Sequence, residues 1–250
     1  MSMITDIHNP SGEIRLIFFN PLGMTSEYWL KDLKIQEHFN HLELVFTDYP
    51  GYVKTAHISL DSFEELASYF YQEYTLLPPK ESICVGASYG GNLAAKFTQL
   101  YDTSKKLILI GSIPYGDSSD KEFYNTLKET LHQNKLFDFS KYLIDFSYTE
   151  DEKNENPFLT LMFFTYLKNN GLNRTLLQQI QHLEGNNKYK VQRADPLILI
   201  GTKDPLIRSD YRDKCSDVFE NYTLYVHENH GHFTLNNNYK AIQQIVKYIN

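Results

Sequence analysis

Six short apolar runs recur along the 250-residue chain, and segments with helical spacing of apolar residues lie between most of them. The runs are nearly continuous rather than alternating, which is typical of strands buried on both faces of a parallel sheet. Strands and helices that alternate in this way are joined by right-handed crossovers. The pattern therefore predicts an α/β fold with a mostly parallel, doubly wound sheet. The predicted strands are residues 14–19, 42–46, 83–85, 107–110, 197–200 and 222–226.

The alternation of strand and helix is interrupted once. Between about residues 113 and 193 the sequence shows helical patterns and no convincing strand. We therefore predict an α/β core formed by 1–112 and 194–250, with a helical cap or lid, 113–193, inserted between its two parts. Ser62 and Glu65 have the spacing of a capping box. The predicted helices are residues 26–39, 61–77, 90–100, 123–136, 161–167, 172–183 and 239–249.

A serine stands between two glycines at the junction of the third predicted strand with a helix, in the segment Gly86-Ala87-Ser88-Tyr89-Gly90. Glycines lose the most backbone entropy on folding, but here they let neighbouring backbone pass without Cβ clashes. A sharp strand-to-helix turn exposes the central side chain, and the amino end of the helix favours developing negative charge. We predict that Ser88 is a nucleophile; the alternative is a glycine-rich turn with an incidental serine.

A serine hydroxyl needs a base to take its proton. Catalytic groups in a doubly wound sheet lie beyond the carboxyl ends of strands, and His230 and His232 both follow the last predicted strand. We predict that His232 is the base, because Gly231 lets the loop turn inward and Phe233 can anchor it. His230 remains the alternative.

The base in turn needs a carboxylate to hold its tautomer. Asp204 directly follows the fifth predicted strand and precedes Pro205. The alternative role for an aspartate at this position is a helix N-cap. The chain order serine, acid, histidine favours the catalytic role, so we predict Asp204 as the third member.

An oxyanion that forms at the serine needs two N–H donors. One donor is predicted to be the backbone of Tyr89, the residue after the nucleophile. The other is expected in the loop after the first predicted strand, which begins Asn20-Pro21-Leu22. Proline has no N–H, so we predict the Leu22 amide.

These segments resemble the α/β-hydrolase superfamily along nearly the whole chain. GASYGG at 86–91, GTKDPLI at 201–207 and GHF at 231–233 occur in the family's order. DYPGY at 48–52 resembles the family's D-x-P-G-x loop, and NPLGMTSEYW at 20–29 resembles its oxyanion segment. The resemblance implies the α/β-hydrolase fold, with the predicted insertion at the position of the family's cap.

The resemblance has two departures. Asn20-Pro21 stands where the family usually has His-Gly, and residues 51–55 (GYVKT) replace the frequent Gly-x-Gly-x-Ser. Neither departure removes a member of the predicted triad. The short cap and the ending around the histidine loop also resemble, more weakly, type II thioesterases.

The combined prediction is a serine hydrolase that cleaves a carboxylic ester of a small hydrophobic substrate through an acyl-enzyme. A thioester, or a carbon–carbon bond of a diketone, is an alternative substrate, and a ligand-binding receptor on a hydrolase scaffold is the alternative from another class. Cap side chains could line an acyl pocket or simply pack onto the core. The candidate pocket residues are Met24, Phe158, Met162, Phe163 and Phe233.

Composition narrows the possible partners. The net charge of −7 disfavours nucleic acid and stable membrane association, and no apolar stretch has the length of a membrane span. Two cysteines are too few for a disulfide framework, and Cys84 is expected to be a buried thiol. The N-terminal segment lacks the pattern of a secretory signal, so we expect a cytoplasmic protein. We predict a small-molecule acyl substrate, no metal and no cofactor; the oligomeric state stays open.

Overall fold

The fold is built on one mostly parallel sheet, seen in a computed structural model that describes residues 2–52, 58–101, 106–115, 121–185, 190–191, 194–207 and 209–250. Within these residues the strands are β1 (Ile4–His8), β2 (Ile14–Phe19), β3 (Glu43–Thr47), β4 (Glu81–Ala87), β5 (Lys106–Ile110), β6 (Leu197–Gly201) and β7 (Thr223–His227). Their order in space is β1-β3-β2-β4-β5-β6-β7. Strands β2 to β7 pair in parallel, which confirms the predicted fold class.

All six predicted strands are present, and β1 is the strand that the sequence analysis missed. It pairs antiparallel with β3 at the edge of the sheet. Its sequence, ITDIH, is only partly apolar and its residues are mostly half-buried. An edge strand need not bury both faces, so β1 lacks the nearly continuous apolar run by which the other strands were predicted.

The two faces of the sheet carry separate hydrophobic layers. Ile17 and Phe19 of β2 pack in the layer that includes the helices after β3 and β4, whereas Leu16 and Phe18 pack in the layer of the C-terminal helix. Because successive side chains of a strand point to opposite faces, a continuous apolar run fills both layers. This explains the unbroken apolar composition of the central strands.

The helices cover both faces and follow most of the predicted segments. They are α1 (Phe63–Tyr74), α2 (Tyr89–Leu100), α3 (Lys121–His132), α4 (Leu136–Ser147), α5 (Glu150–Glu155), α6 (Leu159–Asn170), α7 (Asn173–Glu184), α8 (Tyr211–Val218) and α9 (Tyr239–Ile249). None of the helices among the described residues has both the length and the apolar character needed to cross a bilayer.

The helix predicted for residues 26–39 was wrong. The segment forms a π-helical turn, Tyr28–Asp32, and a 3₁₀ turn, Ile35–Glu37. Lys34 between them has φ +48°, which is left-handed backbone that interrupts an α-helix. The apolar residues of this segment still face the core, which is why their spacing resembles that of a helix.

Helices α3 to α7 lie in the chain between β5 and β6, where the sequence analysis expected a cap. The helix predicted for 123–136 ends earlier, at His132, because Asn134 has φ +56°. The segments that form α4 and α5 were not predicted as helices. The division into core and cap at residues 113 and 193 stays a prediction.

The capping box predicted for Ser62 and Glu65 forms only in part. Ser62 Oγ accepts the Glu65 N–H at 3.2 Å, but the Glu65 carboxylate accepts the Asp61 N–H, at 2.7 Å, instead of the Ser62 N–H. A complete capping box begins α5, where Thr149 and Glu152 exchange both bonds. The reciprocal bond of the motif thus shifts by one residue in α1.

A buried ion pair lies at the amino ends of β2 and β3. Arg15 Nε donates to Glu43 Oε1 at 2.5 Å, and the two side chains are 1% and 4% exposed. Lys80 Nζ also contacts the Glu43 carboxylate, and an Arg15 guanidinium nitrogen donates to the Pro78 carbonyl at 2.9 Å. These bonds satisfy charges that would otherwise be costly to bury.

Candidate active site

Ser88 lies in a strained turn between β4 and α2. Its backbone has φ +52° and ψ −120°, a region that residues other than glycine rarely adopt. A Cβ atom on Gly86 would lie 2.3 Å from the Gly90 carbonyl oxygen, and a Cβ atom on Gly90 would lie 2.2 Å from the Phe19 carbonyl oxygen. The two glycines are therefore required for the close approach of β2, β4 and α2, as the sequence motif predicts.

The structure brings Ser88, His232 and Asp204 together in one hydrogen-bonded chain. His232 Nε2 lies 2.7 Å from Ser88 Oγ, and His232 Nδ1 lies 2.8 Å from Asp204 Oδ2. An ionised carboxylate can only accept hydrogen bonds, so Nδ1–H donates to Asp204 and Nε2 is left to accept from the serine hydroxyl. The imidazole thus has the tautomer of a general base.

Asp204 lies in a turn and does not cap a helix, because the next helix, α8, begins only at Tyr211. Its Oδ1 accepts the Leu206 N–H at 2.9 Å, a local turn bond, while Oδ2 faces His232. The Asp204 and His232 residues are 5% and 4% exposed. The carboxylate is therefore fixed at both oxygens.

The loop that carries His232 is held by backbone on two sides. The His232 N–H donates to the Ser147 carbonyl at the end of α4, at 3.1 Å. A Cβ atom on Gly111, which has φ +55°, would lie 2.3 Å from the His232 carbonyl oxygen. His230, the alternative base, instead packs its ring near His227, with 6.0 Å between the centroids. His232, rather than His230, is thus placed within hydrogen-bond distance of Ser88.

Of the predicted oxyanion donors, Tyr89 directly follows Ser88 in the chain, whereas Leu22 follows β2, the strand beside β4 in the sheet. Tyr89 is the first residue of α2, and Leu22 lies in a turn in which the Met24 N–H donates to the Pro21 carbonyl at 3.2 Å. Gly23 in this turn has φ +73°. No described residue accepts a hydrogen bond from the Leu22 or Tyr89 amide. The role of the two amides as oxyanion donors stays a prediction.

Asn20, which replaces the usual histidine of the family, is a buried hydrogen-bonding centre. Its side chain donates to the Thr47 carbonyl at 2.6 Å and to Asp48 at 3.2 Å, and it accepts from Trp29 Nε1 at 3.0 Å. The Asn20 carbonyl accepts the Tyr49 hydroxyl at 2.6 Å. The departure from the family pattern thus leaves the start of the loop firmly held.

Two polar residues of α7 reach the same region, and the sequence analysis missed both. Gln179 Oε1 accepts the Gly23 N–H at 3.3 Å and the Tyr52 hydroxyl at 2.9 Å. His182 Nδ1 lies 2.7 Å from the Tyr89 hydroxyl. Burial raises the pKa of Tyr89 and lowers the pKa of His182, so the phenol donates to a neutral imidazole. No pattern in the sequence distinguishes these residues from other polar positions of an amphipathic helix.

The candidate pocket residues have different surroundings. Phe233 is buried, with its ring centroid 5.1 Å from that of Tyr148 and 5.8 Å from that of Tyr28, so it anchors the histidine loop. Phe163 packs over Gly23, and Met24 is half-buried between the two hydrophobic layers. Phe158 and Met162 are 63% and 59% exposed, so the structure does not enclose them as expected for a pocket lining. They lie at the start of α6, on a face that the core does not cover.

The two cysteines, Cys84 and Cys215, are buried free thiols, as expected for Cys84. Burial raises the pKa of each thiol to about 12. Within the described part of the chain, no group of three or more His, Cys, Asp or Glu side chains has the arrangement of a metal site.

Comparison with known proteins finds a matching family model and a similar esterase. A model of the alpha/beta hydrolase fold matches residues 14–238. Over 207 residues the chain is 25% identical to the pimeloyl-[acyl-carrier protein] methyl ester esterase of Wigglesworthia glossinidia brevipalpis, covering 79% of this chain and 77% of that protein.

Two solved structures are also similar. An alpha/beta hydrolase enzyme from a Medee basin deep-sea metagenome library has a TM-score of 0.82 and 14% identity, covering 98% of this chain and 92% of that one. A thermophilic esterase from Thermogutta terrifontis has a TM-score of 0.78 and 14% identity, covering 98% and 91%. Because the family model matches most of its length, this chain belongs to the alpha/beta hydrolase fold family.

Proposed function

We propose that this chain is a serine hydrolase that cleaves a carboxylic ester of a small hydrophobic substrate. The observation that carries the proposal is the hydrogen-bonded chain from Ser88 Oγ through the His232 imidazole to the Asp204 carboxylate, with distances of 2.7 and 2.8 Å. A positioned base next to a serine in a strained, partly exposed turn is the arrangement that activates a hydroxyl for acyl transfer.

The reaction begins when Ser88 Oγ attacks the ester carbonyl carbon and His232 Nε2 takes the hydroxyl proton. The carbonyl oxygen becomes an oxyanion, which accepts hydrogen bonds from the Leu22 and Tyr89 amides. The carbon–oxygen bond to the alcohol then breaks, and the alcohol leaves with the proton from His232. Asp204 stabilises the imidazolium that exists between the two proton transfers.

The second half repeats these steps with water. His232 takes a proton from a water molecule, which attacks the acyl group on Ser88. The tetrahedral intermediate uses the same oxyanion donors, and its collapse returns the proton to Ser88 Oγ. The carboxylic acid then leaves, and the enzyme is restored.

The choice of an ester rests on the named activities of similar proteins. The Wigglesworthia relative is named as an esterase of a methyl ester, and the Thermogutta protein is named as an esterase. A methyl ester of a longer acyl chain is therefore the first class of non-chromogenic substrate to test. Thioesters belong in the same panel, because the same oxyanion chemistry cleaves them.

The experiment measures hydrolysis of p-nitrophenyl esters and acyl thioesters of graded chain length, with fluorophosphonate labelling of Ser88. We expect a burst of nitrophenol from the wild-type protein, and loss of both labelling and turnover in Ser88→Ala. We expect kcat to fall by at least about 10³-fold in Ser88→Ala and in His232→Ala.

The matched control is His230→Ala, which removes the imidazole two residues before His232 and leaves the hydrogen bond between His232 and Ser88 in place. We expect its kcat to stay within about threefold of wild type, as for a substitution outside the reacting groups. Turnover retained in Ser88→Ala would contradict the proposal. Saturable ester binding without a burst or labelling would instead favour a ligand-binding receptor.

A further inference from the structure

Helix α7 forms hydrogen bonds to both segments that carry the proposed oxyanion donors. Gln179 bonds the Gly23 amide, next to Leu22, and His182 bonds the side chain of Tyr89. Residues three apart lie on the same face of a helix, so one face of α7 reaches both segments. These two contacts do more than attach α7 to the core, because they are made with the two backbone segments on which the proposed chemistry depends.

The Gln179 contact fixes a peptide of the oxyanion loop. The carboxamide oxygen accepts from the Gly23 N–H, and this amide belongs to the Leu22–Gly23 peptide. The Tyr52 hydroxyl donates to the same oxygen, so the Gln179 side chain is itself held in place. Gln179 is 2% exposed, so water does not substitute readily for either bond. Loss of the carboxamide would leave the Gly23 N–H buried without an acceptor.

Apolar side chains of the cap restrict the same loop from above. A Cβ atom on Gly23 would lie 3.1 Å from Phe163 and 3.2 Å from Leu176. The loop thus has little space in which to reorient while the cap is docked. Its free Leu22 amide is the donor that this packing keeps in position.

The His182 contact fixes the other donor through a side chain. The Tyr89 hydroxyl donates to His182 Nδ1 at 2.7 Å, and His182 Nε2–H donates to the Leu60 carbonyl. The Tyr89 ring is also enclosed by Tyr49 and Phe63, with centroids 5.1 and 5.0 Å away. The first residue of α2 is therefore held at its side chain while its amide stays free.

We propose that Gln179 and His182 are positioning residues that align the two oxyanion donors, so that docking of α7 completes the oxyanion hole. The inference rests on the proposed function and adds residues to it. Neither residue contacts the reacting atoms; each acts through a backbone amide, the first through the Leu22–Gly23 peptide and the second through Tyr89. Rate, rather than substrate binding, is the property they control, because the oxyanion exists only in the tetrahedral state.

The helix provides its own control at the neighbouring position. Gln178 donates to the Leu60 carbonyl, so it also docks α7 on the core but contacts neither oxyanion segment. Gln178→Met and Gln179→Met are therefore the same substitution at adjacent positions. The first removes one bond to the Leu60 carbonyl and leaves the bond from His182 to that carbonyl in place. The second removes the bonds from the Gly23 N–H and the Tyr52 hydroxyl.

The experiment compares kcat, KM and the inhibition constant of a trifluoromethyl ketone, which forms a tetrahedral adduct with the nucleophile. We expect Gln179→Met to lower kcat by about 10- to 100-fold, with KM within about threefold, because misplaced donors weaken the transition state selectively. The affinity for the trifluoromethyl ketone should fall by the same factor as kcat. Gln178→Met should leave kcat and the ketone affinity within about twofold of wild type.

A second variant keeps the test decisive if Gln179→Met does not fold. Tyr89→Phe retains the ring and removes only the hydroxyl bond to His182. We expect it to lower kcat and ketone affinity together, with a melting temperature close to that of wild type. Wild-type kcat in a folded Gln179→Met, or in Tyr89→Phe when the first variant is unfolded, would overturn the inference. Equal losses in Gln178→Met and Gln179→Met would also overturn it.

Failure of the inference can be told apart from failure of the proposed function. A wild-type protein that neither turns over esters nor reacts with a fluorophosphonate refutes both. A wild-type protein that is active and labelled at Ser88, with unchanged kinetics in the α7 variants, refutes the positioning role alone.

Discussion

Asp204→Asn is the substitution that most directly tests the hydrogen-bond chain of the site. Asp204 accepts from His232 Nδ1–H at one carboxylate oxygen and from the Leu206 N–H at the other. Asparagine has one acceptor and one donor group, so it can satisfy only one of these two contacts. The structure determines which one survives.

The Leu206 amide favours the orientation that harms catalysis. If the asparagine oxygen stays on the Leu206 N–H, its NH₂ group faces His232 Nδ1, which must then lose its proton. The proton moves to Nε2, and the imidazole can no longer accept from Ser88 Oγ. The flipped orientation keeps the productive tautomer but leaves a buried donor facing a donor, at a cost of about 1–3 kcal/mol.

A second loss concerns the imidazolium. Asparagine removes the negative charge beside His232, and a hydrogen bond to a charged group is worth about 1.5–3 kcal/mol. Together the two effects raise the barrier by about 2.5–6 kcal/mol, or about 10²- to 10⁴-fold in rate. Serine proteases with the same constellation lose about 10⁴ in kcat on this substitution, so we expect a value near the upper end.

The assay is kcat/KM for a p-nitrophenyl ester, with active-site titration to exclude traces of wild-type protein. Asp195→Asn is the matched control, because Asp195 is exposed and lies before β6, away from its carboxyl end. We expect that variant to keep its activity within about twofold. A folded Asp204→Asn that retains a third or more of the wild-type kcat/KM would refute the assigned role of the carboxylate.

Two further predictions concern stability. Glu43→Ala should lower the free energy of unfolding, measured by urea denaturation, by about 3–5 kcal/mol, because it leaves the buried Arg15 charge without its carboxylate. The double variant Arg15→Met, Glu43→Leu should recover most of this loss. Equal instability of the single and double variants would contradict this prediction. Burial lowers the pKa of His182 from 6.5, so the unfolded chain binds the proton more readily and stability should fall as pH drops below about 6.5. His182→Gln should therefore show a smaller fall in melting temperature between about pH 7 and pH 5 than wild type, and an unchanged slope would exclude His182 as a source of the acid sensitivity.

The strands were predictable because burial on both faces requires a recognisable run of apolar residues in the sequence. A strand covered on both faces requires apolar residues at successive positions, as in β2 and β6, and such runs are rare elsewhere. The edge strand β1 has no such requirement, and its partly polar sequence carries no comparable signal. The error at residues 26–39 has a different origin, because apolar spacing reports which side chains are buried but not the left-handed backbone at Lys34.

The members of the hydrogen-bonded chain were predictable for a local reason. Ser88, Asp204 and His232 each lie next to a strand end, so a correct set of strands places all of them at one edge of the sheet. The glycines around Ser88 add a second signal. A Cβ atom at either position would lie only 2.2–2.3 Å from a backbone carbonyl oxygen, so no residue other than glycine fits there. The exposure of Phe158 and Met162 was not predictable, because it depends on how α6 docks and periodicity does not fix that docking.

The contacts that α4 and α7 make with the loops around Ser88 show why periodicity is a poor guide to this part of the site. The base loop is bonded to Ser147 of α4, the oxyanion loop to Gln179 of α7, and the residue after the nucleophile to His182. One of these contacts uses a backbone carbonyl, which any residue type provides, and the others use polar side chains on an otherwise ordinary amphipathic helix. These segments are held by α4 and α7 as well as by the sheet, so substitutions at the contacting positions of the two helices should change the rate of the proposed chemical step.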